Sequence, residues 1–412
     1  MSRFPLDSKD VCEDKDVSVS NPGGPSPEVA CQGEWTTSRR ELLSFYLYAI
    51  GNNGLAGFRF GPAQFQNLLN FAGYDPSQPP FAKPCDRGSD CVLPFMGHVR
   101  NINSIVLLSN GMCFAFRAVM LLMIGAWADY GTWRPNILIC FTILSVGSSF
   151  AWLGIQEPSK WPGAVVLYIL STISCQCCFT FWYAAIPGVV RNLPEVQASA
   201  DEEKKGLKSL DEHFRFESLA RNRISNISLA VSSAVEVLIL PSMVGILKAL
   251  KSDTSVENNT KAFNVLLSFC GGVLLLCAIP WFIVEKRRPG LVLPPGSSLA
   301  TIGFKQTLFS LRECFRLKQT FLYLVYYFLM GDVLNTTMTV IATLQNGVVS
   351  YSTIQLALLF LAATAAQFAF LFGLGAFSTV FIFMVDVKKS QVECEEFVAA
   401  EIGYNVFGMS TM

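Results

Sequence analysis

Charged and amide side chains lie within apolar stretches of this sequence, where they are costly. Asn52, Asn53 and Arg59 fall in the first stretch, Arg117 in the second and Glu236 in the fifth. A charge at the centre of a bilayer costs about 2.5–3.5 kcal/mol on insertion scales, so it should face a partner or a cavity. One hypothesis is structural: Arg117 and Glu236 neutralise each other, and Arg59 extends to the membrane surface. The other is that Asn52, Asn53, Arg59 and Glu236 bind a polar substrate.

Asp332 and Asn335 are a second candidate pair, in the seventh apolar stretch. They are three residues apart and therefore share one face of a helix. An amino acid's ammonium group would suit Asp332, and its carboxylate would suit Arg59 or the backbone amides near Gly54. The structural alternative is that Asp332 neutralises Arg117.

Glycines and asparagines interrupt the first apolar stretch at Gly51–Gly54, with further glycines at positions 57 and 61. These residues weaken a helix. Interrupted spans of transporters expose backbone groups to substrate near the bilayer midplane. The alternative is that the glycines allow helices to pack closely.

The sequence offers no recognisable set of catalytic residues. Its two histidines, His98 and His213, lie outside the apolar stretches, and no phosphate-binding glycine loop is present. Cys175, Cys177 and Cys178 diverge by about 100° per residue on a helix, so they cannot converge on one metal ion. We therefore expect no enzyme, no cofactor and no metal, and the net charge of zero argues against nucleic-acid binding.

The elements that hold these side chains are membrane spans. Of the 412 residues, 51% are hydrophobic and 15% are charged, whereas soluble domains carry about 25% charged residues. A span needs about 20 mostly apolar residues. This criterion predicts eight spans in a lipid bilayer: Leu42–Leu69, Ile102–Trp127, Asn136–Ile155, Gly163–Val190, Ile224–Leu247, Ala262–Val284, Phe321–Leu344 and Ser352–Val385.

The spans divide the chain into five predicted regions. Residues 1–40 are polar and rich in Pro, Gly and Ser, which predicts a disordered tail. Six spans in residues 41–284 form a first half, and two in residues 321–385 form a partial second half. A charged loop, residues 285–320, separates the halves, and residues 386–412 form a polar tail.

The distribution of lysine and arginine predicts a cytoplasmic N-terminus. With that orientation the cytoplasmic side receives 20 of these residues and the opposite side seven, as the positive-inside rule requires. Asn258, in the sequence Asn-Asn-Thr, then faces the lumen as a candidate glycosylation site. Cys85 and Cys91 lie in a lumenal loop, where they are candidates for a disulfide.

A short charged turn, Gly125–Arg134, connects the second and third spans. Its two glycines, Gly125 and Gly131, would allow close helix approach, and Asp129 and Arg134 would lie at the membrane surface. The turn resembles the cytoplasmic loop motif of the major facilitator superfamily, in the variant where the glycine follows the aspartate by two positions. The resemblance implies a conformational latch formed by Gly125, Asp129, Gly131 and Arg134.

Longer stretches resemble one family, the autophagy-related vacuolar amino-acid effluxers of fungi, a branch of that superfamily. The matching stretches are Glu41–Ala56, Cys91–Phe95, Gly125–Arg134, Phe181–Pro194 and Phe328–Gln345. The resemblance runs from about residue 38 to about residue 368. It implies an all-helical bundle of the major-facilitator type, a vacuolar membrane location and export of neutral, apolar amino acids such as leucine.

Beyond Ala366-Gln367 the sequence no longer resembles the family, whose members have about twelve spans. We therefore expect a chain that is truncated or divergent after about residue 367. The alternative to a transporter is a non-transporting membrane protein that is inert or associates with full-length relatives.

Overall fold

The structure is a computed structural model that describes residues 35–76, 91–290, 308, 312, 315–344 and 354–366. Its helices are α1 (Arg39–Gly51), α2 (Gly61–Ala72), α3 (Ile102–Asp129), α4 (Arg134–Ala151), α5 (Trp161–Tyr183), α6 (Ile186–Arg191), α7 (Pro194–Lys204), α8 (Leu210–Ala249), α9 (Val256–Val284), α10 (Lys318–Leu344) and α11 (Ile354–Ala366). A π-helix covers Leu55–Phe60, and short 3-10 turns cover Trp152–Gly154 and Pro158–Lys160.

Five helical segments among the described residues are long and apolar enough to cross a membrane. They are Ile102–Asp129, Arg134–Gly154, Pro158–Arg191, Leu210–Ala249 and Val256–Val284. They coincide with the second to sixth predicted spans. The all-helical, polytopic membrane class is confirmed, whereas the number of spans and the division into regions stay predictions.

The first predicted span is interrupted as the glycine pattern indicated. Helix α1 ends at Gly51, and the chain turns at Gly54, whose φ of +78° favours glycine. The π-helix Leu55–Phe60 follows and leads directly into α2. Single π-helical turns occur often at functional sites.

Helix α1 packs mainly on α9 and α8, and α4 packs between α5 and α9. The interrupted span contributes to two separate apolar clusters. Before the break, Phe45 stacks on Trp182 with 4.8 Å between the ring centroids. After it, Phe65 stacks on Tyr168 at 4.4 Å. The break therefore falls where the core changes from one apolar cluster to the other.

Two predicted connections contain regular structure. The connection predicted at Arg191–Arg223 is largely helical, since α7 occupies part of it and α8 begins at Leu210. A capping box starts α8: the Ser209 hydroxyl accepts from the Glu212 amide, and the Glu212 carboxylate accepts from the Ser209 amide.

The connection predicted at Asn70–Asn101 contains a hairpin of β1 (Val92–Phe95) and β2 (His98–Asn101). The two strands are antiparallel, and Phe95 pairs with His98. Met96 and Gly97 form the turn with φ values of 52° and 81°, the left-handed pair that a tight hairpin turn requires. Pro94 discourages a strand prediction because proline lacks an amide donor.

Candidate functional site

The break in the first span brings polar groups into the interior of the bundle. The Ser232 hydroxyl of α8 donates to the Ala49 carbonyl near the end of α1, at 3.0 Å. Asn53 Oδ1 accepts from the Leu55 amide at 3.0 Å and so stabilises the turn. Asn52 is 4% exposed, and its Nδ2 has no hydrogen-bond partner among the described residues. Within the described part of the chain, this buried amide donor is therefore unsatisfied.

A buried ion pair lies beyond the break. Arg59, in the π-helix, contacts Glu236 of α8 with 2.5 Å between Nη1 and Oε1. Thr364 of α11 accepts from Arg59 Nη1 at 2.8 Å and donates to Glu236 Oε1 at 3.2 Å. The Arg59 and Glu236 side chains are 16% and 4% exposed, so both charges are largely removed from solvent.

Helix α8 connects the break to this ion pair. Ser232 and Glu236 are four residues apart and therefore share one face of α8. The first touches the end of α1, and the second touches the π-helix. The Phe360 ring of α11 lies under the Arg59 guanidinium, 5.6 Å from centroid to Cζ. The site thus combines a cation, an anion, a hydroxyl and an aromatic face.

The structure corrects the predicted pairing of the intramembrane charges. Glu236 is paired with Arg59 rather than with Arg117, and Arg59 does not extend to the surface. Arg117 Nη1 instead donates to Gln176 Oε1 at 3.3 Å, and its guanidinium lies over the Phe114 ring at 5.4 Å. The prediction failed because a helical pattern gives the face of each residue but not the neighbouring helix.

The predicted pair Asp332 and Asn335 lies in α10. Their side chains lie outside the described part of the structure. Their role in substrate binding stays a prediction, as does an ion pair between Asp332 and Arg117.

A second polar cluster lies at the end of the bundle that carries the Gly125–Arg134 turn. We call the segment Glu285–Gly290, which follows α9, the strap. Arg288 of the strap binds both carboxylate oxygens of Glu41, at 2.7 and 2.8 Å. It also donates to the Trp35 carbonyl and the Thr37 hydroxyl. With Arg288 7% and Glu41 0% exposed, the strap is clamped to the start of α1.

The strap also covers the turn. The Gly290 amide donates to the Gly131 carbonyl at 2.7 Å. A Cβ at Gly290 would lie 2.5 Å from the Asp129 carbonyl oxygen, closer than any side chain allows. Arg134 Nη2 contacts Glu285 at 3.4 Å.

Glu285 is 2% exposed, and its burial raises the pKa of this carboxyl to about 7. The Arg134 guanidinium lowers the pKa of Glu285, while the nearby Glu41 carboxylate raises it further. The Glu285 carboxyl therefore changes between its protonated and its charged form near neutral pH.

The expectation of close helix approach at Gly125 is wrong for the described residues. Apart from its own helix, no described atom would lie within 4 Å of a Cβ at Gly125, so no neighbouring helix approaches closely there. Gly131 has a φ of +64°, which explains its place in the turn. Asp129 is exposed, and the latch role of Gly125, Asp129, Gly131 and Arg134 stays a prediction.

The remaining predicted sites lie at the hairpin and at the start of α9. Cys91 is disulfide-bonded, but Cys85 lies outside the described residues, so their pairing stays a prediction. Asn258 lies in the first turn of α9 and donates to the Thr254 hydroxyl at 2.9 Å. Its glycosylation also stays a prediction.

Sequence reasoning missed four residues that complete these clusters: Glu41, Thr364, Glu285 and Arg288. Ser38-x-x-Glu41 reads as a helix start, and the Ser38 hydroxyl does accept from the Glu41 amide. The Glu41 carboxylate, however, binds the strap 247 residues away. Thr364 gives no signal, because one threonine in an apolar helix is common.

Comparison with known proteins yields one family. The family described as "Vacuole effluxer Atg22 like" matches residues 37–369. The chain is 24% identical to autophagy-related protein 22 of Pyricularia oryzae, over 84% of this chain and 57% of the relative. It is 23% identical to the protein of that name from Neurospora crassa, over 80% of this chain and 52% of the relative.

The chain thus spans about half the length of these two relatives. No solved structure matches the chain.

Proposed function

Because the chain belongs to the vacuole effluxer Atg22-like family, we propose that it takes part in exporting amino acids from the vacuole. The substrates are neutral and apolar, such as leucine, and come from autophagic degradation. The relatives' names include the word autophagy, which supports this setting. The lysine and arginine distribution supports a cytoplasmic N-terminus, so export runs towards the N-terminal side.

The observation that carries the proposal is the buried pair of Arg59 and Glu236. A zwitterionic amino acid carries the same two charges as this pair. It can bind by exchange, with its carboxylate on Arg59 and its ammonium on Glu236, so that no charge is left unpaired. Asn52 Nδ2 is a second buried donor in the interrupted first span, without a partner among the described residues.

The surroundings of the pair favour an apolar side chain. Phe360 lies against both Arg59 and Phe60, with 5.5 Å between the two phenylalanine rings. A charged side chain would need a further buried partner, because an uncompensated charge in the bilayer is costly. A leucine-like side chain needs only apolar contact.

The ion pair also joins elements that are distant in sequence. Arg59 and Glu236 lie in the first and fifth predicted spans, whereas Thr364 lies in the eighth. Alternating access requires helices of the two halves to separate around a central site. A substrate that displaces Thr364 from Arg59 and Glu236 would weaken one link between the halves.

The test uses the full chain in proteoliposomes loaded with radiolabelled leucine. A single Glu236→Gln change leaves Arg59 unpaired and can destabilise the protein whatever its role. The double change Arg59→Met with Glu236→Leu removes both charges, and replacing a buried ion pair by apolar residues of similar volume is often neutral for stability.

We expect the double variant to be abundant and correctly inserted but to lose leucine release. Arg117→Gln, which removes an intramembrane arginine outside the pair, is the control and should retain release. A double variant that releases leucine at the wild-type rate would show that the pair is only structural.

A further inference from the structure

A small pocket lies where the strap crosses the Gly125–Arg134 turn. It has a volume of about 130 Å³, and its wall includes Gly131, Gly188 and Gly290. One water molecule needs about 10–15 Å³ on this measure. The glycines contribute no side chains to fill the space, so the pocket can hold a small polar group.

Three arginines from three elements line this pocket: Arg134 from α4, Arg191 from α6 and Arg288 from the strap. Arg288 is saturated by Glu41 and the Trp35 carbonyl. The other two are not. Their spare donors decide what the pocket can bind.

Arg134 is poorly satisfied for a buried guanidinium. Its contacts with the Ala184 carbonyl and Glu285 are both 3.4 Å long. Its Nε is buried and has no hydrogen-bond partner in the described ranges. A buried donor without a partner costs free energy that a bound acceptor would recover.

Arg191 contributes a surplus positive charge. Its only described ion contact is Glu217 at 3.8 Å, and Arg221 binds the same carboxylate oxygen at 2.9 Å. One carboxylate therefore serves two guanidinium groups. The side chain of Arg191 is 63% exposed, so it lies at the pocket mouth, where it can meet an incoming ligand.

We propose that this pocket binds a phosphate group. Guanidinium groups bind phosphate oxygens through charge-assisted hydrogen bonds, frequently as bidentate pairs. The phosphate belongs either to a lipid headgroup or to a soluble ion. The predicted orientation places the pocket at the cytoplasmic surface, where anionic lipids are enriched. Binding by Arg134 and Arg191 would join the start of α4 to the end of α6.

The test measures the thermal unfolding temperature of the purified full chain. One arm titrates inorganic phosphate against potassium chloride of equal ionic strength. The other compares phosphatidylcholine bilayers with and without phosphatidic acid. Arg191→Gln removes the donor at the pocket mouth. Arg221→Gln is the matched control, because Arg221 shares Glu217 but does not line the pocket.

We expect ligand to stabilise the wild type and the Arg221→Gln variant, and to bind about tenfold more weakly to Arg191→Gln. Gly188→Ala, which places a methyl group 3.2 Å from Arg134 Nη1, should reduce binding similarly.

Stabilisation by phosphatidic acid alone identifies a lipid headgroup, and stabilisation by inorganic phosphate identifies a soluble ion. If neither ligand stabilises the wild type more than Arg191→Gln, the proposal is wrong.

Discussion

Replacing Arg288 with glutamine should destabilise the bundle far more than removing an exposed arginine. Arg288 is 7% exposed and its partner Glu41 0%, so the change leaves a buried carboxylate without its cation. Breaking a buried ion pair from one side costs about 3–5 kcal/mol. The Lys286 backbone amide still donates to the Glu41 carboxylate in the variant, at 3.3 Å. Because this hydrogen bond partly compensates the charge, we expect a loss at the lower end of that range, about 3 kcal/mol.

A loss of about 3 kcal/mol corresponds to a drop of roughly 6–12 °C in unfolding temperature, on the scale of domains of 150–250 residues. A thiol-reactive fluorophore can follow unfolding as a second phase of labelling, because Cys140 is exposed and reacts first, whereas Cys175, Cys177 and Cys178 are buried and free. They react only when the helices separate.

Arg221→Gln is the control, since its side chain is 46% exposed and exposed pairs contribute about 0–1 kcal/mol. The double change Glu41→Gln with Arg288→Gln should recover part of the loss, because no unpaired charge remains. Equal unfolding temperatures for Arg288→Gln and Arg221→Gln would refute the view that the strap is clamped by this pair.

Three further predictions concern the strap and the opposite end of the bundle. Gly290→Ala should release the strap from the turn, because the new Cβ would lie 2.5 Å from the Asp129 carbonyl oxygen; faster proteolysis after residue 285 would reveal it, and wild-type cleavage would contradict it. Burial raises the pKa of Glu285 from 4.5 to about 7, so the native state binds a proton at this carboxyl more tightly than the unfolded state does. The free energy of unfolding should therefore decrease as the pH rises from about 4.5 to about 7. In the Glu285→Gln variant the unfolding temperature should depend less on pH over that range. An unchanged pH dependence would exclude Glu285 as its cause. Endoglycosidase should increase the mobility of the wild type but not of Asn258→Gln, and no shift in either would exclude the predicted lumenal glycan.

The sequence allows a good prediction of where helices long and apolar enough to cross a membrane lie, and of which residues would be costly in a bilayer. The apolar stretches predicted the helices of the second to sixth spans to within six residues, except that α8 extends 14 residues before the predicted start at Ile224. Those residues are polar, so the span criterion cannot detect them. The interruption at Gly51–Gly54 was predictable because glycine and asparagine disfavour helix.

The partners of the charges were less predictable. Arg59 and Glu236 are 177 residues apart in sequence, and their contact depends on how α8 lies against the π-helix. The sequence shows that both charges are unfavourable in the bilayer, but it does not show that they pair with each other. The clamp between Glu41 and Arg288 was missed for a related reason, because each residue looks like an ordinary surface charge beside a helix end.

The clamped strap sets the point from which later parts of the chain can move. Since Arg288 and Gly290 are tied to α1 and to the turn, the chain leaving the sixth predicted span does not become free at the end of α9. Later helices can therefore rotate relative to the first six spans only about a point after Gly290. The connection that is free to move between them is shorter by the six residues of the strap. Spin labels at Asn192 and Pro289 should therefore give one narrow distance distribution whatever position the later helices adopt, and a second distance would place the pivot before Gly290.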